Sequence, residues 1–452
     1  MGRAQRPGFL PRVVAAAGAL LAAIPAFAES THELTVSTGA ELLTALASES
    51  RARTIRLRAG RYVLDAPLSI PDDVELAGEG VMRLDAGGIA IGFAAGTETA
   101  LVARPGFRGD VLTLGDGAVL RGLRIEGPAL DAPHDGAADG NVVLIASRRA
   151  GDRLRATLRD CEIVNHGSFG AGPGSPTGRA IVVMTRNPGG GVAWHEGAQV
   201  ATSIERSIVR NEFDSNAVFA INFAGDGAVA LELERNRFEG VLMVVGAAGR
   251  PDKVTGARAT LRSRDNVYVS AGGPYPAGWF IIGGSVGPHD PLTQGAEANS
   301  VHVDSQGDRI EGYRIGILAA AGRLIHGLPG RVANNRGELL LRDLRITTVG
   351  DEAADLSLHG AFLESRPDPA SASTVNGAEG NVLRVTLHDS IGSGHRQNVY
   401  AHGSPTDLAA TGAAQRPDRL EFTGSQAQFL ESNPGFSPVP DSRLFLTGDD
   451  DR

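Results

Sequence analysis

The sequence contains few of the residues that build a single globular core or a disulfide framework. Among 452 residues there is one cysteine, Cys161, and aromatic residues make up 5%. A lone cysteine excludes an internal disulfide, and we interpret it as a small packed residue. Lysine is nearly absent as well, since Lys253 is the only one. No long amphipathic pattern of period 3.6 follows residue 50, which argues against a helical protein.

The sequence does contain a short unit that recurs along the chain. In each copy a first residue, most often Leu or Ile, is followed five positions later by Ile, Phe or Tyr. The copies run over Leu120–Ile125, Leu158–Ile163, Ile208–Phe213, Leu233–Phe238, Ser263–Tyr268, Ser305–Ile310 and Leu341–Ile346. Each unit is too small to bury its own apolar face, so neighbouring units must stack. The repeat therefore predicts a solenoid of coils with insertions as loops on its flanks.

A second short apolar strand follows each unit and is bounded by Gly, Asn, Asp or Pro. These strands begin at Asn141, Ala180, Val218, Val241, Trp279, Ile315, Leu356 and Asn398. The third position of the first unit also forms a series along the chain. It reads Leu123, Cys161, Asn211, Asn236, Asn266, Asp308 and Leu344. We interpret this series as a ladder of stacked turn hydrogen bonds rather than a ligand site.

The first 28 residues have the pattern of an export signal. Arg3, Arg6 and Arg12 precede an apolar run that ends in Ala-Phe-Ala at Ala28, which predicts a secretory signal peptide. Cleavage would remove three arginines and change the formal charge from −9 to −12. We expect an exported protein, periplasmic or extracellular, without a later transmembrane segment. Its negative charge argues against a nucleic-acid partner.

Residues 39–80 carry a resemblance to a known family. GAELLTALAS predicts an amphipathic helix with Leu42, Leu43 and Leu46 on one face, and TIRLRAGRYVL, PLSIPDDVEL and AGEG follow it. With VLTLGDGAVLRGLRIEG from Val111, this resembles the entry segment and coils of the pectate-lyase-like superfamily. The resemblance, over about residues 39–430, implies an all-β, right-handed parallel β-helix with a short N-terminal capping helix. We expect a cap segment over 29–54, the β-helix over 55–430 and a tail over 431–452.

The superfamily includes lyases, hydrolases, epimerases and adhesins, so the resemblance selects no activity. The polygalacturonase and pectate lyase motifs are missing. A partial match remains to the Asp-Pro-His-Asp cluster of alginate C5-epimerases, in the segment Asp131-Ala132-Pro133-His134-Asp135, which has one extra residue. His134 could serve there as acid or base, with Asp131, Asp135 or Asp139 setting its tautomer. Alternatively those three carboxylates hold a calcium ion, or the segment is a turn-rich surface loop.

A second candidate site follows from stacking the last two strands. If Leu356 occupies the same inward position as Val399, then His359 lies beside His402 on the outer face, with Tyr400 next to them. Two histidines with a tyrosine can act as acid and base or bind a metal. Stacked surface histidines without a role are the alternative.

Loops decide where a ligand would bind. Long insertions precede the second strand at residues 126–140 and 164–178, and others follow it in most coils. Two series of loops that flank one sheet predict a groove suited to a linear polymer. Trp194, Trp279 and Tyr275 fall in or beside these loops and could stack on sugar rings, or they pack internally.

Two functions of different class remain open. The first is an enzyme acting on an acidic polysaccharide by lyase or C5-epimerase chemistry, with a glycoside hydrolase as the weaker variant. The second is a non-catalytic polysaccharide-binding or structural surface module. Because the protein is acidic, it needs an arginine patch or bridging calcium to hold a polyuronate.

Overall fold

The computed structural model describes the chain in segments. They are residues 32–47, 52–128, 140–166, 178–186, 194–212, 216–250, 252–272, 277–286, 294–325, 330–350, 353–364, 376–390, 392, 396–400, 419–423 and 443–447. Residues 1–31 lie outside these ranges. Within the described residues the chain is nearly all strand, with one α-helix, α1, at Gly39–Ala47. No helix there is long and apolar enough to span a membrane.

Three long parallel sheets form the walls of the solenoid. Sheet A contains β1 (His32–Val36), β2 (Ala52–Leu57), β5 (Glu75–Gly78), β10 (Val119–Arg121), β13 (Arg153–Arg159), β16 (Gln199–Glu205), β19 (Ala228–Glu234), β23 (Arg258–Arg264), β27 (Ser300–Gln306), β31 (Arg336–Arg342), β35 (Val382–His388), β37 (Arg419–Thr423) and β38 (Arg443–Thr447). Sheet B contains β3 (Gly60–Leu64), β8 (Thr99–Ala103), β11 (Arg124–Glu126), β14 (Glu162–Asn165), β17 (Ile208–Asn211), β20 (Arg237–Glu239), β24 (Val267–Val269), β28 (Arg309–Tyr313) and β32 (Arg345–Thr348).

Sheet C contains β4 (Leu68–Ile70), β9 (Leu112–Leu114), β12 (Val143–Ala146), β15 (Ile181–Met184), β18 (Asn216–Ile221), β21 (Val241–Val245), β25 (Ala277–Ser285), β29 (Ile315–Ile325), β33 (Ala354–Glu364) and β36 (Arg396–Tyr400). A short sheet E contains β22 (Val254–Thr255), β26 (Gln294–Glu297), β30 (Gly330–Ala333) and β34 (Asn376–Glu379), and β6 (Met82–Leu84) pairs antiparallel with β7 (Ala90–Phe93). Successive strands run from A to B to C and back to A. The fold is a right-handed parallel β-helix, and this prediction is confirmed.

Alternation along the strands explains why sheet A forms. In β13 the side chains of Leu154, Ala156 and Leu158 are buried, while Arg153 and Arg155 are exposed. A strand with one apolar side must turn that side toward the core. The interior is one continuous column of apolar side chains along the axis. It includes the stacked rings of Phe238 and Tyr268, whose centroids are 4.9 Å apart.

The predicted ladder exists at the short turn between sheets A and B. The backbone N–H of each ladder residue donates to a side-chain oxygen one coil further along, in a chain that runs from Cys161 through Ser207, Asn236 and Asn266 to Asp308. The prediction of Asn211 as a member of this ladder is wrong. The third unit is Ile204 to Val209 and not Ile208 to Phe213, because Ile204 pairs with Leu158 and Leu233. Ser207 therefore takes the place predicted for Asn211.

The structure contains a second ladder of asparagine side chains, which was not predicted from the sequence. Asn299, Asn335 and Asn381 lie where sheet E leads into sheet A, and each accepts the N–H of the residue one coil earlier at 3.0–3.1 Å. All three side chains are buried. Buried amides of this kind satisfy backbone groups that the turns leave without a strand partner.

The capping helix is present where it was predicted. Thr38 Oγ1 accepts the N–H of Glu41, and the Glu41 carboxylate accepts the N–H of Ser37, a reciprocal arrangement that fixes a helix N-terminus. Leu42 is fully buried and Leu46 packs against the core, but Leu43 is 54% exposed. The predicted apolar face is wrong at Leu43, because residues three and four positions apart, not adjacent ones, share a helix face.

Candidate functional site

The register of sheet C contradicts the stacking predicted for its last two strands. Leu358, not Leu356, pairs with Val399, so His359 lies opposite Tyr400 and not opposite His402. The predicted alignment is therefore wrong by two residues. A two-residue shift keeps the alternation of inward and outward positions, so the apolar pattern could not detect it. His402 and the side chain of Tyr400 lie outside the described residues.

His359 is also not at the surface. Its side chain is 4% exposed on the outer face of sheet C, where its Nε2 lies 2.9 Å from Ser357 Oγ and its ring lies 4.8 Å from that of Phe362. Burial lowers the pKa of His359 to about 3. The ring is therefore neutral at physiological pH. The prediction of an exposed histidine at this position is wrong.

The outer face of sheet C is apolar and largely buried. Its two outward rows are Leu144, Val182, Phe219, Met243, Phe280, Leu318 and Ser357, and Ala146, Met184, Ile221, Val245, Ile282, Ala320 and His359. Most of these side chains are less than one-tenth exposed. An acidic polymer gains no ionic contact from such a surface. On sheet C, only the edges can therefore offer such a polymer a site.

The other predicted site residues are either buried or outside the described residues. Trp279 is fully buried inside the solenoid, edge-on to Tyr268, so the prediction that it contacts sugar is wrong. Asp131, His134, Asp135, Asp139 and Tyr275 lie outside the described residues, and their roles stay predictions. In the described part of the chain no group of three or more acidic, His or Cys side chains could hold a metal ion.

Among the predicted site residues that the structure describes, Trp194 lies in a cluster of two aromatic rings and two arginines. Its ring stacks on Phe223 with centroids 6.3 Å apart. The guanidinium of Arg186 lies 5.0 Å from the Trp194 ring centre and 5.6 Å from that of Phe223, and the guanidinium of Arg250 lies 5.1 Å from that of Trp194. We call these four residues the arginine–aromatic patch. Cation–π contacts of this kind hold the guanidinium groups in place.

The two arginines of the patch differ in charge balance. Arg250 is 7% exposed and pairs with Glu196 and with Asp252, whose carboxylate lies 2.7 Å from Nε. Arg250 also donates to the backbone carbonyl of Phe223 at 3.2 Å. Arg186 is only partly buried and has no acidic partner among the residues that the structure describes. Arg186 is therefore the guanidinium of the patch that stays available to an anion, although Glu196 and Asp252 together balance the formal charge of both arginines.

Strand ends of sheet C position the patch. Thr185 and Arg186 follow β15, and Asn222 and Phe223 follow β18 in the next coil. Thr185 Oγ1 donates to Asn222 Oδ1 at 2.7 Å and accepts the N–H of Phe223 at 2.8 Å. These buried bonds fix the turn that carries Phe223.

The segment around Trp194 is fixed from the preceding coil. The buried His195 lies with Nδ1 2.8 Å from Ser147 Oγ, and Ser147 directly follows β12. The N–H of Gly151 donates to the carbonyl of Glu196 at 2.8 Å. The bond between Ser147 and His195 is buried, so we assign it a structural role rather than one in nucleophilic catalysis.

A cleft of about 770 Å³ lies beside the same turn. It is lined by Asp72, Asp116 and residues 148–154. Arg148 pairs with Asp72 at 2.7 Å and Arg149 with Asp152 at 3.0 Å. Burial opposes ionisation of Asp72, but bonds from Arg148 and from the Asp116 N–H outweigh it and lower its pKa. Two arginine–carboxylate pairs therefore line the cleft, and Arg153 lies beside them.

Only part of this patch could be predicted from the sequence. Trp194 stood out because the chain has two tryptophans. Arg186, Phe223 and Arg250 are far apart in sequence and resemble ordinary loop residues. Each of them follows a sheet C strand, which is the second strand of its coil. This shared position could have indicated that the three residues lie close together.

Comparison with known proteins gives fold-level likeness only. No family model matches the chain, and no curated protein matches it. Among solved structures, the periplasmic alginate epimerase AlgG is 10% identical, with 88% of this chain and 77% of that chain covered and a TM-score of 0.27. DFA-IIIase from Arthrobacter chlorophenolicus A6, in complex with DFA-III, is 11% identical, with 92% and 99% covered and a TM-score of 0.31. The Streptococcus pneumoniae surface adhesin PfbA is 9% identical, with 82% and 94% covered and a TM-score of 0.27. These likenesses assign no activity to this chain.

Proposed function

We propose that this protein binds an acidic polysaccharide, with the arginine–aromatic patch as a primary contact. The observation that carries the proposal is Arg186, a cation that two aromatic rings hold in place and that has no acidic partner within the described ranges. A guanidinium with free donors pairs well with a carboxylate or sulfate group. The partly exposed Trp194 offers apolar surface to a sugar ring beside it.

The patch also explains how an acidic protein can hold an anionic polymer. The formal charge of the chain is −9, so binding has to rely on local positive charge. Glu196 and Asp252 both contact Arg250, so Arg186 is the guanidinium of the patch whose donors remain available to a ligand anion. Removing Arg186 should therefore weaken binding more than removing any ion-paired surface arginine.

Catalysis is the second candidate, and it rests on the segment that contains Asp131, His134 and Asp135. We propose lyase or C5-epimerase chemistry for it, with His134 as acid or base. Pro128 and Gly140 flank this segment, between β11 and β12 of the coil that also carries Ser147. The segment is thus joined to sheet C at the opposite end of β12 from the patch.

Binding is tested by calorimetry with polyuronate trimers, on the chain from residue 29 onward. Arg186→Ala and Trp194→Ala should each weaken binding at least about tenfold, in line with the loss of one charge-assisted contact or one aromatic contact. Arg262→Ala is the matched control, because Arg262 is 63% exposed and paired with Glu232 on sheet A. Equal affinity of Arg186→Ala and wild type, or equal binding of a neutral trimer, contradicts the proposal.

The same samples separate binding from chemistry. Unsaturated uronate products or altered C5 stereochemistry, measured with and without calcium, would show an enzyme. His134→Ala should then lower turnover at least about a hundredfold with little effect on folding. Unchanged turnover on a confirmed substrate removes His134 from the site.

A further inference from the structure

The outer face of sheet A has four rows of side chains that run parallel to the solenoid axis. In-register pairing places one residue of each strand in each row. The first row consists of Arg153, Gln199, Ala228, Arg258, Ser300, Arg336, Val382, Arg419 and Arg443. Five of these nine positions are arginine and none is acidic.

The other three rows of the same face are built differently. Each of them contains both signs of charge, and most of these charges pair across strands, with Arg155 as an exception in the described part of the chain. Arg262 pairs with Glu232, Arg264 and Arg342 with Asp304, Arg384 with Glu338 and Glu421, and Arg159 with Glu205. Charge balance is therefore the rule on this face, and the first row departs from it.

Three arginines of the first row, Arg153, Arg258 and Arg336, are exposed, and none of them has an acidic partner in the part of the chain described. The nearest acid along β31 is Glu338, which Arg384 and His302 already contact. Neutral residues separate these arginines in the row: Gln199 and Ala228 lie between Arg153 and Arg258, and Ser300 lies between Arg258 and Arg336. An anionic ligand along the row would therefore meet unpaired guanidinium groups and no acidic side chain of the row.

The geometry of the row fits an extended ligand. Neighbouring strands lie about 4.8 Å apart, so Arg258 and Arg336, two strands apart, are separated by about 10 Å along the axis. The backbone hydrogen bonds of the sheet hold this spacing rigid. The row is also adjacent to the arginine–aromatic patch, since Gln199 of the row begins the strand five residues after Trp194.

We propose that the first row of sheet A is a track for a linear carboxylated or sulfated polysaccharide, running along the solenoid axis and extending the patch. The proposal rests on the proposed function for the class of polymer. The charge pattern of the row itself does not depend on that function. Short ligands would occupy the patch alone, while long chains would contact both surfaces.

The test compares two double variants that remove the same charge from the same two strands. Arg258→Ala/Arg336→Ala removes unpaired arginines of the first row, and Arg262→Ala/Arg342→Ala removes paired arginines of the other rows on β23 and β31. The probes are a galacturonate trimer and long polygalacturonate chains, titrated at several salt concentrations. Circular dichroism of each variant reports whether the fold is kept.

The first-row variant should bind long chains at least about tenfold more weakly and with a shallower salt dependence, since two fewer ionic contacts form. It should bind the trimer as wild type does. The control variant should bind both probes like wild type. Unchanged long-chain affinity of the first-row variant overturns the track.

The remaining outcomes separate the two proposals. If Arg186→Ala binds the trimer like wild type and the first-row variant binds long chains more weakly, the proposal of the track is supported and the proposal of the patch is wrong. If neither probe binds wild-type protein, both proposals are wrong. If single-stranded DNA of equal charge binds more tightly than polygalacturonate, the occupant named here is wrong.

Discussion

The outer faces of sheets A and C belong to the same coils and yet differ in polarity, exposure and predictability. On sheet A, strand β16 alternates between buried and exposed positions, and its outward side chains are polar or small. On sheet C, strand β15 of the preceding turn reads IVVM and is buried on both faces. Both faces of sheet C therefore contribute apolar burial, while sheet A contributes it on one side. Stability should depend on the outer face of sheet C, and ion binding on that of sheet A.

The largest effect should come from placing a charge on the buried outer face. Val182 is fully buried there, so Val182→Asp buries a carboxylate without a partner and should cost more than about 4 kcal/mol. Gln199→Asp, on the exposed outer face of β16 in the same coil, should change stability by less than about 0.5 kcal/mol. Urea unfolding of both variants measures the difference. Equal stability of the two would show that the outer face of sheet C is accessible to water.

This contrast also explains which sequence predictions held. The solenoid and most of the ladder were predictable, because on sheet A the inward residue of each pair is apolar and its outward neighbour is polar or small. The second strands were predictable as short apolar runs bounded by Gly, Asn, Asp or Pro. On sheet C the pattern has no polar side, so it specifies neither register nor outward residues. His359 was therefore placed opposite His402 and at the surface. The patch could not be predicted because it depends on which turns become neighbours.

The two tryptophans provide the next comparison. Trp279 fills the interior, and Trp279→Ala should destabilise the protein by about 3–5 kcal/mol through the cavity it leaves. Trp194 lies partly exposed in the patch, so Trp194→Ala should cost much less stability and should instead weaken binding of uronate trimers. Thermal unfolding measures the loss of stability in each variant, and calorimetry on the same samples measures the loss of trimer binding. A large loss of binding in a folded Trp279→Ala variant would contradict this division.

The ladder contains a residue whose charge opposes folding. Asp308 is buried, and burial raises its pKa to about 6 from an ordinary 3.8, against the hydrogen bonds from Ser305 and Asn266. Because the folded state binds this proton more tightly, the destabilisation is absent below about pH 4, grows up to pH 6 and is constant above it. Its size is about 3 kcal/mol.

Asp308→Asn should therefore stabilise the protein by up to about 3 kcal/mol at pH 7 and leave it unchanged near pH 4. The new amide can donate to Ser305 Oγ as Asn266 donates to Ser263 Oγ at 2.9 Å. Asn266→Asp is the opposite control and should lower stability at pH 7. Urea unfolding at pH 4 and pH 7 provides the measurement. A stabilisation of equal size at both pH values would mean that charge is not its cause.

The smallest expected effect concerns His359, where the sheet C environment predicts no titration at all. Its pKa of about 3 follows from burial, so the ring should stay neutral, with constant NMR shifts, between pH 5 and pH 8. His359→Asn assigns the signal. His402→Gln should leave that signal unchanged, since His359 pairs with Tyr400 in the sheet. A midpoint above pH 5 that moves in His402→Gln would show that the two rings are neighbours near water, and it would restore the histidine pair as a candidate acid and base.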